Sequence, residues 1–155
     1  MNRNLSEVEY KTHELYESDF YAWTVEQAKF LQKGDWNNLD IPNLVEEIEY
    51  LGKQDRRELK NRLRILIGHL LKWEFQASKR SKSWSNTIDE QRFQILSLLQ
   101  ESPSLKPYLL DAISEVYKYA LKLAISETSL SKETFPQECP YTLEQILDFE
   151  FLPGE

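Results

Sequence analysis

The stretch from Lys53 to Lys82 contains no proline and a single glycine, Gly68. Its apolar residues recur at alternating spacings of four and three, at Leu59, Leu63, Leu66, Leu70, Trp73 and Ala77. Because residues at those spacings fall on one side of an α-helix, the stretch predicts a long helix with an apolar seam. A seam of this length has to be covered, so we expect the rest of the chain to pack around it.

Two further features predict how the chain reaches this central helix. A first helix is expected over 19–33, ended by Gly34, since glycine tolerates the left-handed conformation of a helix C-cap. After a short connection the central helix is expected to span 41–82. Gly52 either breaks that helix or kinks it, and the sequence leaves this undecided.

The second half of the chain predicts two more helices, over 87–101 and 104–128, after a polar turn at 81–86. The tail that follows is irregular and holds one short helix capped by Thr142. Its apolar residues predict that it docks on the helices: Phe135, Tyr141, Ile146, Leu147, Phe149, Phe151 and Leu152. No stretch alternates with a period of two. The expected fold class is therefore all-α, a helical bundle of four main helices around a long central helix, with a docked irregular C-terminal tail.

Length and composition predict one domain over residues 1–155. Residues 1–14 are polar and are expected to be loosely ordered, with at most a short helix started by the Ser6-x-x-Glu9 pattern. A single cysteine excludes an internal disulfide. There is no signal-peptide pattern and no apolar run of roughly 20 residues that could span a bilayer. We therefore expect a cytoplasmic protein with no membrane attachment.

The net charge of −7 is unevenly distributed. Residues 1–52 carry 4 basic and 11 acidic side chains, residues 53–92 carry 11 and 5, and residues 93–155 carry 4 and 10. A basic centre between acidic ends favours mutual neutralisation on folding. The overall charge makes nucleic acid an unlikely partner.

Six blocks of sequence, in order, resemble domain-of-unknown-function family 29. They are LYESDFYAWTVEQA, NLVEEIEYLG, RLRILIGHLLKW, RSKSW followed by QR, SPSLKPYL and FPQECPYTLEQILDFEFLP. The resemblance runs from about Leu15 to Pro153. It implies an all-helical fold, and it carries over no catalytic residues because that family has no assigned activity.

A candidate polar site combines Glu46, Glu49, Arg62 and His69. His69 and Arg62 flank the apolar seam, and a glutamate of the preceding segment could pair with either in a structural network. The alternative is a divalent-metal site with Glu46, Glu49 and His69 as ligands. The paired Glu-x-x-His pattern of di-iron bundles is absent. We favour the structural network and expect no cofactor.

Basic residues next to aromatic residues form a second candidate site, for phosphate or a partner. They are Lys79, Arg80, Lys82 and Trp84, with Arg56, Lys60 and Arg64 as a further exposed stripe. A solvated face is the favoured interpretation. Cys139 precedes the short helix, where a thiol can have a lowered pKa, so a Cys139/His69 pair is also considered. A small buried side chain is the more common role of a lone cysteine.

Common catalytic motifs are missing: the sequence has no Gly-rich phosphate loop, no Gly-x-Ser-x-Gly and no His-Glu-x-x-His. We interpret the chain as a small cytoplasmic helical interaction or regulatory protein that binds a protein partner or its own copy. The alternative is a divalent-metal-dependent enzyme that uses the Glu/His site. Whether the protein is an enzyme stays open.

Overall fold

A computed structural model describes residues 7–155, apart from the side chains of residues 8–10. The α-helices in this range are α1 (Glu7–Ser18), α2 (Phe20–Lys33), α3 (Ile41–Phe75), α4 (Lys82–Glu101), α5 (Leu109–Thr128) and α6 (Leu143–Leu147). Short 3-10 helices cover Trp36–Asn38, Ala77–Lys79, Pro103–Tyr108 and Lys132–Thr134. No strand occurs in the described part of the chain, so the predicted all-α class is confirmed.

The chain forms two compact units, residues 1–53 and residues 54–155. The single-domain assignment stays a prediction. Within residues 7–155 no helix is long and apolar enough to cross a membrane. Residues 7–14 belong to α1, as the short helix allowed by the sequence would place them, and the loosely ordered start stays a prediction. Ser6 of the predicted capping pattern lies outside the described residues.

In the first unit, α2 begins and ends where the sequence predicts. The Asp19 carboxylate accepts a hydrogen bond from the Ala22 backbone N–H at 3.0 Å, which caps the helix start. Gly34 ends α2 with a φ of 67°, in the left-handed region that costs glycine little. The Trp23 ring packs edge-on against Tyr16 of α1, with the ring centroids 4.9 Å apart.

Asp40 links α2 to the start of α3. Its carboxylate accepts hydrogen bonds from Trp23 Nε1 at 3.1 Å and from Asn43 Nδ2 at 2.8 Å. Its backbone N–H donates to Gln27 Oε1 at 2.8 Å. Because Trp23, Gln27 and Asn43 are buried, these bonds satisfy polar groups that burial would otherwise leave unpaired. Gly52 lies inside α3 and does not end it.

In the second unit, the predicted apolar seam of α3 lies in the hydrophobic core. Leu59, Leu63, Leu66 and Leu70 are fully buried. Helix α4 runs antiparallel to α3, since Asp55 contacts Ser102 near one end and Arg62 contacts Gln91 further along. Helix α5 runs parallel to α3: its Ala120 and Leu123 lie against Gly68, and its later residue Glu127 pairs with Lys72 further along α3.

Three predicted boundaries in this unit are wrong. Helix α3 ends at Phe75 rather than at Lys82, and Ala77 of the predicted seam is exposed. The Arg80 side chain folds back and donates to the Trp73 carbonyl oxygen at 2.8 Å, which satisfies one of the free carbonyls at the helix end.

Helices α4 and α5 also start at other residues than the sequence predicts. Ser81 rather than Thr87 caps α4, because the Ser81 hydroxyl accepts a hydrogen bond from the Trp84 backbone N–H. The expected polar turn at 81–86 is therefore mostly helix. The last long helix opens with a 3-10 segment over Pro103–Tyr108, before α5 begins at Leu109.

The C-terminal tail packs on the second unit, as predicted. Phe135, Tyr141 and Ile146 are buried in its core, and Thr142 forms the predicted capping box with Gln145. Phe149 is exposed and takes no part in this docking, which corrects the sequence prediction for that residue.

The tail is held by a buried arginine of α4. The Arg92 guanidinium donates to the carbonyl oxygens of Ile146 at 2.8 Å, Gln145 at 3.2 Å and Phe151 at 2.8 Å. Burial lowers the pKa of this guanidinium. Three backbone acceptors thus replace part of the water that the guanidinium loses, at Nε and Nη2, whereas the buried Nη1 has no hydrogen-bond partner among the described residues.

Candidate functional site

The first unit leaves aliphatic side chains of α3 in contact with solvent. Ile41 is 52% exposed, Val45 49%, Ile48 66% and Leu51 61%. These residues recur at spacings of three and four and therefore share one side of the helix. We call this set the apolar face. The spacing of these residues and Leu44 in the sequence predicts one apolar side of the helix. The structure shows that the four are exposed, whereas Leu44 is partly buried.

The opposite side of the same helical turns is held by α1. Asn43 Nδ2 donates to His13 Nδ1 at 3.0 Å, and the Tyr16 hydroxyl donates to Glu47 Oε1 at 2.7 Å. The hydrogen bond to Glu47 raises the pKa of Tyr16 to about 12. Asn43 and Glu47 lie about 160° around the helix from Ile41 and Val45 respectively. Their contacts with α1 therefore hold this side of α3 against that helix.

The segment of sequence that carries the apolar face is acidic. From Gly34 to Gly52 the sequence holds five carboxylates and no basic residue. They are Asp35, Asp40, Glu46, Glu47 and Glu49. Glu46 and Glu49 are exposed. The region therefore combines exposed aliphatic surface with negative charge.

The members of the predicted polar site have separate surroundings. Glu46 and Glu49 belong to the first unit, and Arg62 and His69 to the second. Arg62 Nε donates to Glu58 at 2.7 Å, one turn away on α3. The combined Glu/His site stays a prediction.

His69 is bonded within its own helix. Its Nδ1 donates to the Ile65 carbonyl oxygen at 2.9 Å, so the neutral ring carries its lone pair on Nε2. Burial lowers the pKa of His69, and nearby Lys72 also lowers it. Among the side chains that the structure describes, no group of three or more His, Cys, Asp or Glu has a metal-binding arrangement. The divalent-metal hypothesis thus gains no ligand set here.

Two members of the predicted basic patch are engaged within the second unit. Arg80 bonds to Trp73 and also donates to the Pro153 carbonyl oxygen at 3.3 Å. Trp84 is half-buried, and the Lys72 ammonium lies 4.4 Å from its ring centroid. Lys79 and Lys82 are exposed. Use of this patch by phosphate or a partner stays a prediction.

Cys139 does not have the activated thiol that its place before a helix could provide. The residue is partly buried, and burial raises the pKa of its thiol. The thiol points to the Tyr141 carbonyl oxygen at 3.7 Å. The lowered pKa considered from the sequence is therefore wrong, because loss of solvation is the largest influence on this thiol.

Sequence reasoning missed the buried charged residues of the second unit. Arg92 lies four residues after Ile88 and three before Ile95, in the register of the buried side of α4, and this spacing could have identified it. Lys72 sits between buried Leu71 and Trp73 on α3 and pairs with Glu127. The Tyr141 hydroxyl donates to Glu74 at 2.6 Å, a contact between residues 67 apart that no local pattern indicates.

A known protein family matches most of the chain. Residues 15–152 match the family described as Domain of unknown function DUF29. The chain belongs to that family, which has no assigned activity, and the resemblance identified in the sequence is thereby confirmed. No curated protein and no solved structure matches the chain.

Proposed function

We propose that this DUF29 protein is a helical interaction protein, and that its apolar face binds a cationic amphipathic helix of a partner protein. The observation that carries the proposal is the exposure of four aliphatic side chains in register on one helix. Exposed apolar surface that is contiguous along a helix is typical of interaction sites. An amphipathic helix placed on such a face uses the same spacing of three and four residues.

Burial of this face would contribute substantial binding free energy. Complete burial of a fully exposed aliphatic side chain of this size contributes about 1.5–3 kcal/mol, and each of the four has about half or more of its surface left to bury. The anchoring of Asn43 and Glu47 to α1 already fixes the orientation of the helix. A partner therefore meets a preorganised surface, which reduces the entropy cost of binding.

The charge around the face selects the partner. Five carboxylates and no basic residue lie between Gly34 and Gly52. A second copy docked through the same face would bring two segments that each carry five negative charges near one another, and like charges at an interface are unfavourable. A lysine-rich or arginine-rich amphipathic helix instead complements them. We place this interaction in the cytoplasm, where a single unpaired cysteine such as Cys139 stays reduced.

A pair of designed peptides tests the proposal. An amphipathic Leu/Lys helix and a Leu/Glu helix of the same length carry the same apolar face with opposite charge. We expect saturable binding of the Leu/Lys helix by fluorescence anisotropy, weakened by salt, and binding of the Leu/Glu helix weaker by about tenfold or more. Equal binding of both peptides, or of neither, would contradict the proposed chemistry.

Substitutions locate the site. Ile48→Ser/Leu51→Ser should weaken Leu/Lys binding by about tenfold or more while leaving the fold intact, since both side chains are exposed and serine has a helix propensity similar to isoleucine. The matched control is Phe93→Ser/Leu110→Ser, which removes two exposed apolar side chains of the second unit. Equal losses in both double variants would show that the peptide binds apolar surface without selection.

Light scattering during gel filtration tests whether a second copy of the chain, rather than a cationic helix, covers the apolar face. A monomer that binds the Leu/Lys helix supports the proposal. A dimer that Ile48→Ser/Leu51→Ser converts to a monomer would assign the face to a second copy, and would overturn the cationic partner.

A further inference from the structure

A groove with unbalanced positive charge runs between α3 and α5 in the second unit. It consists of two adjoining depressions of about 410 and 540 Å³, and both are lined by Arg64 and Tyr119. Their combined lining contains four basic and two acidic side chains. Depressions of this size are in the range of small-ligand sites in proteins.

Both acidic side chains of the groove are already neutralised. Glu115 forms an ion pair with Lys60, and this hydrogen bond holds the pKa of Glu115 below its usual range. Glu127 forms an ion pair with Lys72, which is buried and does not line the groove. The positive charges of the remaining lining residues are therefore not balanced within the groove.

The groove cations without a carboxylate partner in the described structure are Arg64, Lys118 and Lys122. Arg64 Nη2 donates to Asn61 Oδ1 at 3.0 Å, and the other guanidinium donors have no protein acceptor among the described residues. Lys118 Nζ lies 4.9 Å and Lys122 Nζ 5.8 Å from the Tyr119 ring centroid. Neither ammonium pairs with a carboxylate in the part of the chain that the structure describes. Within that part of the chain, three of the four groove cations therefore lack a carboxylate partner, in a protein whose net charge is −7.

The polar groups of the groove are mainly donors. Arg64, Lys118 and Lys122 can only donate hydrogen bonds, and Asn61 uses its carbonyl oxygen on Arg64, which leaves its amide N–H groups. A matching ligand has to supply acceptors and negative charge. Phosphate groups provide both, and the planar guanidinium of arginine fits two phosphate oxygens at once.

Close helix packing fixes the spacing of the two groove walls. A Cβ atom added at Gly68 would lie 2.7 Å from Leu123 Cδ2 and 3.2 Å from the Ala120 carbonyl oxygen, so α3 and α5 are in direct contact next to the groove. The Lys60–Glu115 ion pair crosses between the same helices at the other end. The cations are therefore held on a rigid pair of helices.

We propose that the α3–α5 groove binds a small ligand bearing a diphosphate or similar polyphosphate group, with Arg64, Lys118 and Lys122 as its anchors. The site is separate from the apolar face and does not depend on the function proposed for that face. The phosphate can belong to an inorganic polyphosphate or to a nucleotide, and the half-exposed ring of Tyr119 offers a surface on which a base can stack.

Calorimetric titration with inorganic pyrophosphate is the first test. We expect saturable binding with one site per chain, weaker by about tenfold when NaCl rises from about 50 to 300 mM. Arg64→Gln and Lys118→Gln/Lys122→Gln should each weaken binding by about tenfold or more. All three side chains lie at the surface, so the melting temperature of the unliganded protein serves to verify folding.

The matched control is Lys132→Gln, which removes one exposed positive charge from the same unit outside the groove. This control should change pyrophosphate binding by less than about twofold. Equal weakening by the control and by the groove variants would overturn the proposal, since it would show attraction to overall charge. Absence of saturable binding in folded protein would overturn it as well.

A nucleoside diphosphate identifies the source of the phosphate. Equal affinity for pyrophosphate and ADP supports a site for the phosphate groups alone. Tighter binding of ADP that Tyr119→Leu returns to the pyrophosphate level supports a nucleotide whose base stacks on Tyr119. Binding of a polyglutamate peptide without binding of pyrophosphate would overturn the proposal in favour of an acidic protein segment.

Discussion

Lys72 on α3 donates a hydrogen bond to Glu127 on α5, and this ion pair joins a side chain that is 3% exposed to one near the surface. The Lys72 ammonium also lies over the Trp84 ring. Three helices of the second unit therefore meet at one positive charge. Because that charge is almost without solvent, the stability of the unit depends on the carboxylate that balances it.

Removal of the Glu127 carboxylate should lower the free energy of unfolding more than removal of the Lys72 charge. Glu127→Gln leaves the buried ammonium without a counter-charge and should lower the free energy of unfolding by about 1–3 kcal/mol. Lys72→Met removes the charge and keeps an apolar chain in its place, so we expect a smaller loss. Urea denaturation measures both. A larger loss for Lys72→Met would show that the cation–π contact with Trp84 outweighs the ion pair.

Two glycines of α3 should respond oppositely to the same substitution. Gly68→Ala places a Cβ against Leu123 and the Ala120 backbone, and we expect a loss of about 1–3 kcal/mol from overpacking. Gly52→Ala meets no atom within 4 Å and should gain about 0.5–1 kcal/mol from helix propensity. Guanidinium denaturation of the two variants is the measurement. A gain at Gly68 would show that α5 can move away from α3 at little cost.

Arg92 should control the order of the C-terminal tail. Arg92→Met removes the three hydrogen bonds to Gln145, Ile146 and Phe151, and we expect a loss of about 2–4 kcal/mol. Amide hydrogen exchange should become faster over Leu143–Leu147. Lys106→Met is the control, because Lys106 is an exposed basic residue of the same unit. Unchanged exchange in the tail of Arg92→Met would show that apolar docking alone orders it.

His69 should make the protein less stable in mild acid. Burial holds the pKa of His69 below the usual value near 6.5, so the unfolded chain takes up the proton at a higher pH than the folded chain. Stability is therefore lost as the pH falls below about 6.5, down to the lowered pKa. The melting temperature of His69→Gln should fall less between about pH 7 and pH 5 than that of the unchanged protein.

The control for this pH effect is Lys106→Gln, which changes an exposed side chain of the second unit and leaves both histidines in place. That variant should retain the acid sensitivity of the unchanged protein. An identical pH profile in the His69→Gln variant would assign the acid sensitivity to carboxylates instead.

Local patterns predicted the parts of the fold that local chemistry determines. The four-and-three spacing from Leu59 to Leu70 is a direct consequence of helix geometry, and the structure buries each of those leucines. Gly34 and Thr142 act as end and start signals through their own backbone and hydroxyl groups. Such features depend on residues within about one helical turn, so the sequence alone is sufficient to predict them.

Competition between nearby signals and contacts between distant residues together account for what the sequence did not predict. The early end of α3 involves Arg80 folding back to Trp73, and Ser81 competes with Thr87 for the next helix start. Periodicity identified the apolar side of Ile41 to Leu51, but a helical pattern indicates only that a face is apolar and not what covers it. The α3–α5 groove depends on which residues of α5 lie beside Arg64, and no spacing along the chain gives that pairing.

The Arg92 guanidinium and its carbonyl acceptors are 53 to 59 residues apart in the chain. During synthesis on the ribosome, Arg92 emerges well before the segment that will receive its hydrogen bonds. Until that segment has left the exit tunnel, these carbonyl acceptors are absent, and burial of the guanidinium would cost its hydration without replacement, which disfavours closure of the core around it. Closure of the second unit therefore waits for translation of those residues, and a messenger cut short before their codons would deliver a chain that chaperones and proteases can recognise.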